Sequence, residues 1–370
     1  MMQILDTETA EPKLRMVLDK AKELGDEGLA VFGHGLEGKN PWVVSECWTY
    51  VGEYGPSATM HLPVMIKKLA QFSTRYPLFG TEKFRKEVLE VLEKERGAPL
   101  EAGAKSQEML DARRAMDAVI QVGQHNLPMM ESLLAQVSPP SIGDGESIVH
   151  RTWARLAKID TWAADKVMVE RWSDAKDGER LMLVIGSWRK DLASAPVIDR
   201  LVASLASSSS DIRQVAVSVL ADADRFDVKA NAIKVRTLLS DKSAWTRLRA
   251  ARLASFAREV AGPREFVRLL EHESDDIVDE AAMWIGIMAR VDRARPDPKF
   301  PLPEGALAAL VKIATSERVE RARISAIVAI GSFGAGGASA LDALKPIALG
   351  NGPLAKAAKD AVQSIQPSGK

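Results

Sequence analysis

An apolar stripe at helical spacing restarts every thirty-odd residues along this chain. Leu181, Val184, Ile185 and Trp188 form one copy, Ile212, Val215, Ala216 and Val219 a second, and Ile277, Ala281, Trp284 and Met288 a third. The i, i+3, i+4, i+7 pattern puts each set on one face of a helix. With Val149, Leu181, Ile212, Thr246, Ile277, Val319 and Leu354 as equivalent first positions, the intervals are roughly 32, 31, 34, 31, 42 and 35 residues, which is a repeat period. A lone helix cannot bury such a stripe, so the copies must stack on one another as a solenoid.

From Ser147 onward two helices alternate, A and B. The A helices are expected to begin near Ile148, Glu179, Asp211, Ala244, Asp276, Val319 and Pro353. The B helices fall near Thr161–Trp172, Pro196–Ala206, Val228–Leu239, Pro263–His272, Glu304–Thr315 and Ala338–Leu349. Pro196, Pro263, Pro303 and Pro353 sit at first-turn positions, where a missing N–H costs nothing. Asp211, Ser243 and Ser274 precede stripes as N-caps. The one long interval holds Arg295-Pro-Asp-Pro-Lys-Phe-Pro-Leu-Pro303, which cannot be helical. Earlier in the chain, Val44, Cys47, Trp48 and Val51 make an A stripe and Leu62, Met65, Ile66 and Leu69 the B helix after it. Residues 82–96 read as a charged surface helix with intrahelical ion pairs, and 106–137 as a further pair turning near Gly123. Ser138–Gly145 is the linker between a less regular N-terminal block, 1–140, and a C-terminal solenoid, 146–370, closed by a capping helix.

Composition narrows the function classes. Formal net charge is zero, which removes a bulk electrostatic case for nucleic acid or an anionic membrane. The halves tilt mildly, about −5 over 1–145 and about +5 over 146–370. Cys47 is the only cysteine, so no intrachain disulfide forms. No basic segment followed by an apolar core opens the chain, and no apolar run approaches the ~20 residues a membrane span needs. A soluble, cytoplasmic protein is the expectation.

Two segments carry a resemblance. Val51-Gly-Glu-Tyr-Gly-Pro-Ser-Ala-Thr-Met-His-Leu-Pro-Val-Met-Ile-Lys-Lys-Leu69 and Ile330-Gly-Ser-Phe-Gly-Ala-Gly-Gly-Ala-Ser-Ala-Leu-Asp-Ala-Leu344 align in register, Gly52 with Gly331, Gly55 with Gly334, Leu62 with Leu341 and Met65 with Leu344. Both resemble the turn and second helix of HEAT repeats of the short bacterial variety, and Asp211-Ile-Arg-Gln-Val-Ala216 resembles the start of a family A helix. The second glycine of each pair is expected to end helix A in a left-handed cap. Residues 72–105 depart from the pattern, and Ala244–Ala257 is a degraded copy with Trp245, Leu248 and Phe256 off the stripe. The resemblance implies an all-α, right-handed α-solenoid of antiparallel helix pairs, with B helices lining the concave side and a role as a binding scaffold.

Gly33-His-Gly-Leu-Glu-Gly-Lys39 contains G-x-G-x-x-G, which in a phosphate site needs a strand before it and a long helix after it. Leu29–Phe32 could pass for the strand, but Asn40-Pro41 starts a new element, so an inter-helix loop with Asn40 as N-cap is expected. In Thr161–Trp172, Trp162, Asp165, Val169 and Trp172 share one face while Ala164, Val167 and Met168 share the other. Either both faces are buried, or Trp162 and Trp172 form a partner-binding surface. Tryptophans around an Asp resemble the cleft of HEAT-like bacterial DNA glycosylases that remove alkylated bases. Opposite the B stripes lie Arg200, Lys229, Arg236, Arg264, Arg268 and Lys312, a basic row fitted to an acidic peptide or a phosphate backbone, with Asp199, Glu265 and Glu271 interspersed. The five histidines are scattered, no H-E-x-x-H or G-x-S-x-G occurs, and Cys47 lies on a core stripe, so no catalytic residue, metal or cofactor is assigned. Tetrapyrrole lyases with HEAT-like repeats share only the repeat length. The expected function is a non-enzymatic scaffold whose partner-binding residues are Trp162, Trp172, Arg200, Lys229, Arg236, Arg268 and Lys312. The partner is another protein or an acidic peptide, with nucleic acid as the alternative.

Overall fold

The computed structural model describes residues 1–72, 75–76, 100–139, 146–188, 192, 194–223, 226–294 and 302–366. The charged segment 82–96, residues 140–145 of the linker and 295–301 of the proline-rich loop lie outside the described residues. Among those described, the chain is helical apart from one two-residue antiparallel ladder, in which Arg75 pairs with Ser147 and Tyr76 with Glu146. No described helix is long and apolar enough to cross a membrane. The chain divides into two units, Met1–Arg200 and Leu201–Lys370.

The first unit runs α1 (Met2–Thr7), α2 (Glu11–Glu23), α3 (Asp26–Glu37), α4 (Pro41–Glu53), α5 (Leu62–Leu69), α6 (Leu100–Gly123), α7 (Leu127–Val137), α8 (Ile148–Ile159), α9 (Thr161–Arg171) and α10 (Asp177–Gly186). Sequence neighbours such as α2 and α3 or α8 and α9 pack together. Alternate helices also touch, α2, α4, α6, α8 and α10 in one series and α3, α5, α7 and α9 in another. α11 (Ala195–Ser204) straddles the division. The second unit continues with α12 (Ser210–Asp222), α13 (Ala232–Thr237), α14 (Ala244–Phe256), α15 (Ala261–Leu269), α16 (Asp275–Ala294), α17 (Ala306–Ala314), α18 (Glu320–Ser332), α19 (Leu341–Ala348) and α20 (Gly352–Ile365). Here α12, α14, α16, α18 and α20 form the series. From α14 onward the helices of this series and the intervening α15, α17 and α19 share one buried cluster that includes Leu248, Phe266, Ile277, Ile285, Leu310, Ile327 and Leu344. Leu248, expected off its stripe, is therefore core.

The two hairpins read as equivalent match element for element. α4 and α18 each have 13 residues, a 3-10 segment of 7 follows each (Gly55–His61 and Gly334–Ala340), and α5 and α19 each have 8. Gly55 and Gly334 lie at φ 53° and 56°, the left-handed region that a side chain disfavours, and they reverse the chain as expected. Gly52 and Gly331 do something else. A Cβ at Gly52 would stand 3.1 Å from Ala118 Cα, and one at Gly331 3.0 Å from Ala361 Cα, so these glycines let the next helix of the series approach its backbone.

Several expectations are corrected. Gly33–Gly38 is not a loop: Leu29–Glu37 is the body of α3, and only Gly38 stands beyond its end. A Cβ at Gly33 would lie 2.2 Å from His61 Cε1 and one at Gly35 2.4 Å from Cys47 Sγ, so these glycines serve close packing rather than a ligand. Asn40 does cap α4, its Oδ1 accepting from the Trp42 N–H at 3.0 Å. Ser209, not Asp211, caps α12, accepting from the Ile212 N–H at 3.4 Å, and Asp211 sits within the first turn. Ser243 caps α14 as expected, accepting from the Thr246 N–H at 3.3 Å. The helix expected over Val228–Leu239 starts only at Ala232. Asp227 holds the preceding residues in a turn, its Oδ1 accepting from the Ala230 N–H and its carbonyl from Asn231 Nδ2, both at 3.0 Å. Pro303 stands ahead of α17, separated from it by Gly305 at φ 81°. Of the tryptophans on A stripes, Trp153 is wholly buried and Trp284, half-buried, packs on the core with its ring stacked on Phe266 at 6.3 Å, while Trp188, past the end of α10, is half-buried.

Candidate functional site

In the first unit α9 presents an open face. Ala164, Val167 and Met168 are buried, while Trp162 is 73% exposed and Trp172, which ends the helix, is half-buried. The alternative in which both faces are buried is thus set aside. Asp165, between the two tryptophans on this face, is half-buried. Each tryptophan carries a cation, with Lys166 Nζ 5.7 Å from the Trp162 ring and the Arg180 guanidinium 5.7 Å from that of Trp172, cation–π distances in both cases. Arg180 is fixed further by donating to the Trp172 carbonyl at 3.4 Å. Below this face Arg171 meets the buried Glu131 at 3.2 Å. Burial raises the Glu131 carboxyl above its ordinary value, with Arg171 opposing and Glu179 reinforcing the shift. A shallow cleft that reaches Ala163, next to Trp162 in the chain, is lined by Gln124, His125, Leu127, Pro128, Ile159, Asp160 and Ala163. Arg200 is exposed on α11.

The remaining basic residues lie in the second unit, and all are exposed: Lys229 in the turn before α13, Arg236 on α13, Arg268 on α15 and Lys312 on α17. They differ in electrostatic state. Arg236 donates to Glu259 at 2.8 Å, two residues ahead of α15, and so joins the α13 surface to the start of the helix carrying Arg264 and Arg268. Arg268 donates to Glu265 at 3.3 Å. Lys229, Lys234, Arg264 and Lys312 have no carboxylate partner among the described residues. Glu265, expected among the exposed charges, is 3% exposed.

The reason is a chain of ion pairs along the loops. Arg213 and Arg247 each lie four residues after a capping serine. Each donates from Nη1 to two carbonyls of the loop before its own helix: Arg213 to Ser207 and Ser208 at 2.8 and 3.0 Å, Arg247 to Asp241 and Lys242 at 2.8 and 3.2 Å. Arg213 Nε reaches Asp241 at 2.6 Å and Arg247 Nε reaches Glu265 at 2.9 Å. Charge-assisted bonds of this kind fix the register of α12, α14 and α15. They also consume the acidic residues that would otherwise dilute the basic surface. Sequence reasoning missed Ile233 and Lys234 here. Ile233 is 78% exposed between the cations, and its spacing four residues after Lys229 was the available signal.

Among the described residues no group of three His, Cys, Asp or Glu side chains is placed to hold a metal. Cys47 is buried, and desolvation pushes its thiol up to about 12, the opposite of an activated nucleophile. No protein-family model and no curated protein matches the chain. The crystal structure of an engineered protein is 17% identical to it, with a TM-score of 0.46 over 99% of this chain and 98% of that one, a likeness that carries no argument on its own.

Proposed function

We propose that the chain is a HEAT-type right-handed α-solenoid of the short bacterial kind, a soluble cytoplasmic scaffold without catalytic activity that binds an acidic peptide or protein segment on its B-helix side. Supporting the architecture are the two alternating helix series and the equal-length hairpins at 41–69 and 320–348. The observation that carries the function is the cluster of exposed cations around α13 and α15, Lys229, Lys234, Arg236, Arg264 and Arg268, beside which Glu259 is bound and Glu265 is buried. Charged, solvent-facing patches steer acidic partners and set specificity.

Binding of a fluorescent acidic peptide and of duplex DNA to the full chain, titrated against salt, tests the reading. The peptide is expected to bind with a shallow salt slope and to lose binding when Lys229 and Arg236 are both changed to Glu, with the helical circular dichroism melt nearly unchanged. Tighter DNA binding, with log K falling about 0.9 per neutralised phosphate, would overturn it. A second reading, an alkylbase DNA glycosylase, is favoured by one observation, the solvent-facing Trp162. Release of an alkylated base from methylated duplex DNA, lost on Trp162→Ala, is its test.

A further inference from the structure

Ile233 is the residue that the scaffold reading leaves unexplained. It is 78% exposed on a short helix whose buried side is held by Val235, and cations stand near it in sequence. Lys229 stands four residues before it, Lys234 adjoins it and Arg236 follows three residues on. Through Glu259, Arg236 is tied to the start of α15, which carries Arg264 and Arg268 on one exposed edge at i and i+4 spacing. Three carboxylates of this surface are engaged: Asp227 closes the turn before α13, Glu259 holds Arg236, and Glu265 is buried between Arg247 and Arg268; Glu271, just past the end of α15, is exposed. An exposed aliphatic side chain set among cations in the sequence is the complement of an apolar position set among acids.

We propose that this surface of α13 and α15 receives an acidic amphipathic helix, one apolar side chain of which packs on Ile233 while its carboxylates meet Lys229, Lys234 and Arg264. The inference rests on the scaffold reading above and names its partner's form. Charge complementarity selects the acidic segment. The aliphatic anchor selects a polypeptide over single-stranded nucleic acid, whose bases are held by aromatic stacking platforms. Phe226, ahead of α13, and Phe266, on α15, are buried, and the exposed Phe256 at the end of α14 carries the Arg252 guanidinium 5.6 Å from its ring. Helix-in-groove recognition reads an apolar edge at i, i+3 and i+4, and one exposed isoleucine flanked by cations fits a narrow edge of that kind.

Fluorescence anisotropy on the full chain tests the proposal with three probes: a Glu- and Leu-rich peptide designed as a helix, the same peptide with every Leu changed to Ser, and a single-stranded oligonucleotide of equal charge. The Leu peptide is expected to bind at least about tenfold more tightly than the Ser peptide, the difference that burying one aliphatic side chain gives. Ile233→Ser is expected to erase that difference while leaving binding of the Ser peptide and the thermal melt unchanged. If Lys229→Glu with Lys234→Glu abolishes binding but Ile233→Ser does not affect it, the acidic-ligand reading stands and the helical-anchor proposal is overturned. If neither peptide binds, or the oligonucleotide binds best, both fall.

Discussion

His61 shows how much a single side chain can owe to its neighbours. Its ring lies against Gly33, and its Nε2 is buried without a hydrogen-bond partner. Desolvation lowers its pKa below the ordinary imidazole value, with the Glu37 charge only partly opposing. The folded ring therefore stays neutral at a pH where the unfolded chain, titrating near ~6.5, already takes up a proton. Unfolding is then proton-coupled. The stabilisation from His61 is fully present above the unfolded value and is lost as pH falls toward and through the lowered folded value. The urea midpoint should drop between neutral and mildly acidic pH, and His61→Phe, which keeps a flat ring on Gly33, should flatten that drop. Parallel pH profiles for the two proteins would show that the ring does not titrate in this way. The contact was not legible in the sequence. Gly33 and Gly35 stand in a spacing that suggests a phosphate loop, and nothing local reveals that His61 and Cys47 come to rest against them. Gly55 and Gly334 were legible because a positive φ is a local demand of the turn itself.

At the scale of elements, α12, α14 and α15 are locked by the chain of ion pairs that starts at Arg213 and ends at Arg268. Its members differ in burial, and this sets an order of importance. Glu265 is 3% exposed and serves two arginines, whereas the Arg268 side chain is 77% exposed. Glu265→Ala strips the partner from Arg247 in a mostly desolvated place, although two loop carbonyls still hold that guanidinium. A loss of about 2–3 kcal/mol is expected, below the full penalty for orphaning a buried charge. Arg268→Ala should cost under ~0.5 kcal/mol, as exposed pairs do. Chemical denaturation of both variants checks the ranking, and an equal effect would remove the ladder as an element of stability. Glu265 was misread because a charged residue on a predicted polar face looks solvated, and its partner Arg247 lies on the preceding helix. The mirror error hid Ile233, since an isoleucine in a B helix looks like core. α9 was ambiguous for a third reason: with large apolar residues on both faces, only the packing of Ala164, Val167 and Met168 decides which side is open.

For the molecule as a whole, the division at Arg200 and Leu201 carries an energetic expectation. Stability in stacked-helix proteins is a sum of local and nearest-neighbour contributions, so damage need not spread evenly. Trp153 is wholly buried in the first unit and Phe266 in the second. Trp153→Ala and Phe266→Ala should each cost on the order of 3–5 kcal/mol. In calorimetry each should shift a different part of the unfolding transition. One transition moved equally by both would mean that the chain unfolds as a single block. The all-helical class was legible because the 3.6-residue period recurs along the chain. The places where the chain divides and where its cations are neutralised were not, because both depend on contacts between residues far apart in sequence.

The matched hairpins at 41–69 and 320–348 also carry a consequence for how such a chain can change. Each offers a glycine to an alanine of the next helix in its series, Gly52 to Ala118 and Gly331 to Ala361, and each turns on a glycine of nearly the same φ. Plug and socket are thus the same at both sites. The hairpin is the same unit twice in length and in its join, so exchanging 41–69 with 320–348 is the simplest test of whether the two are interchangeable, with an unchanged melt as the expected outcome.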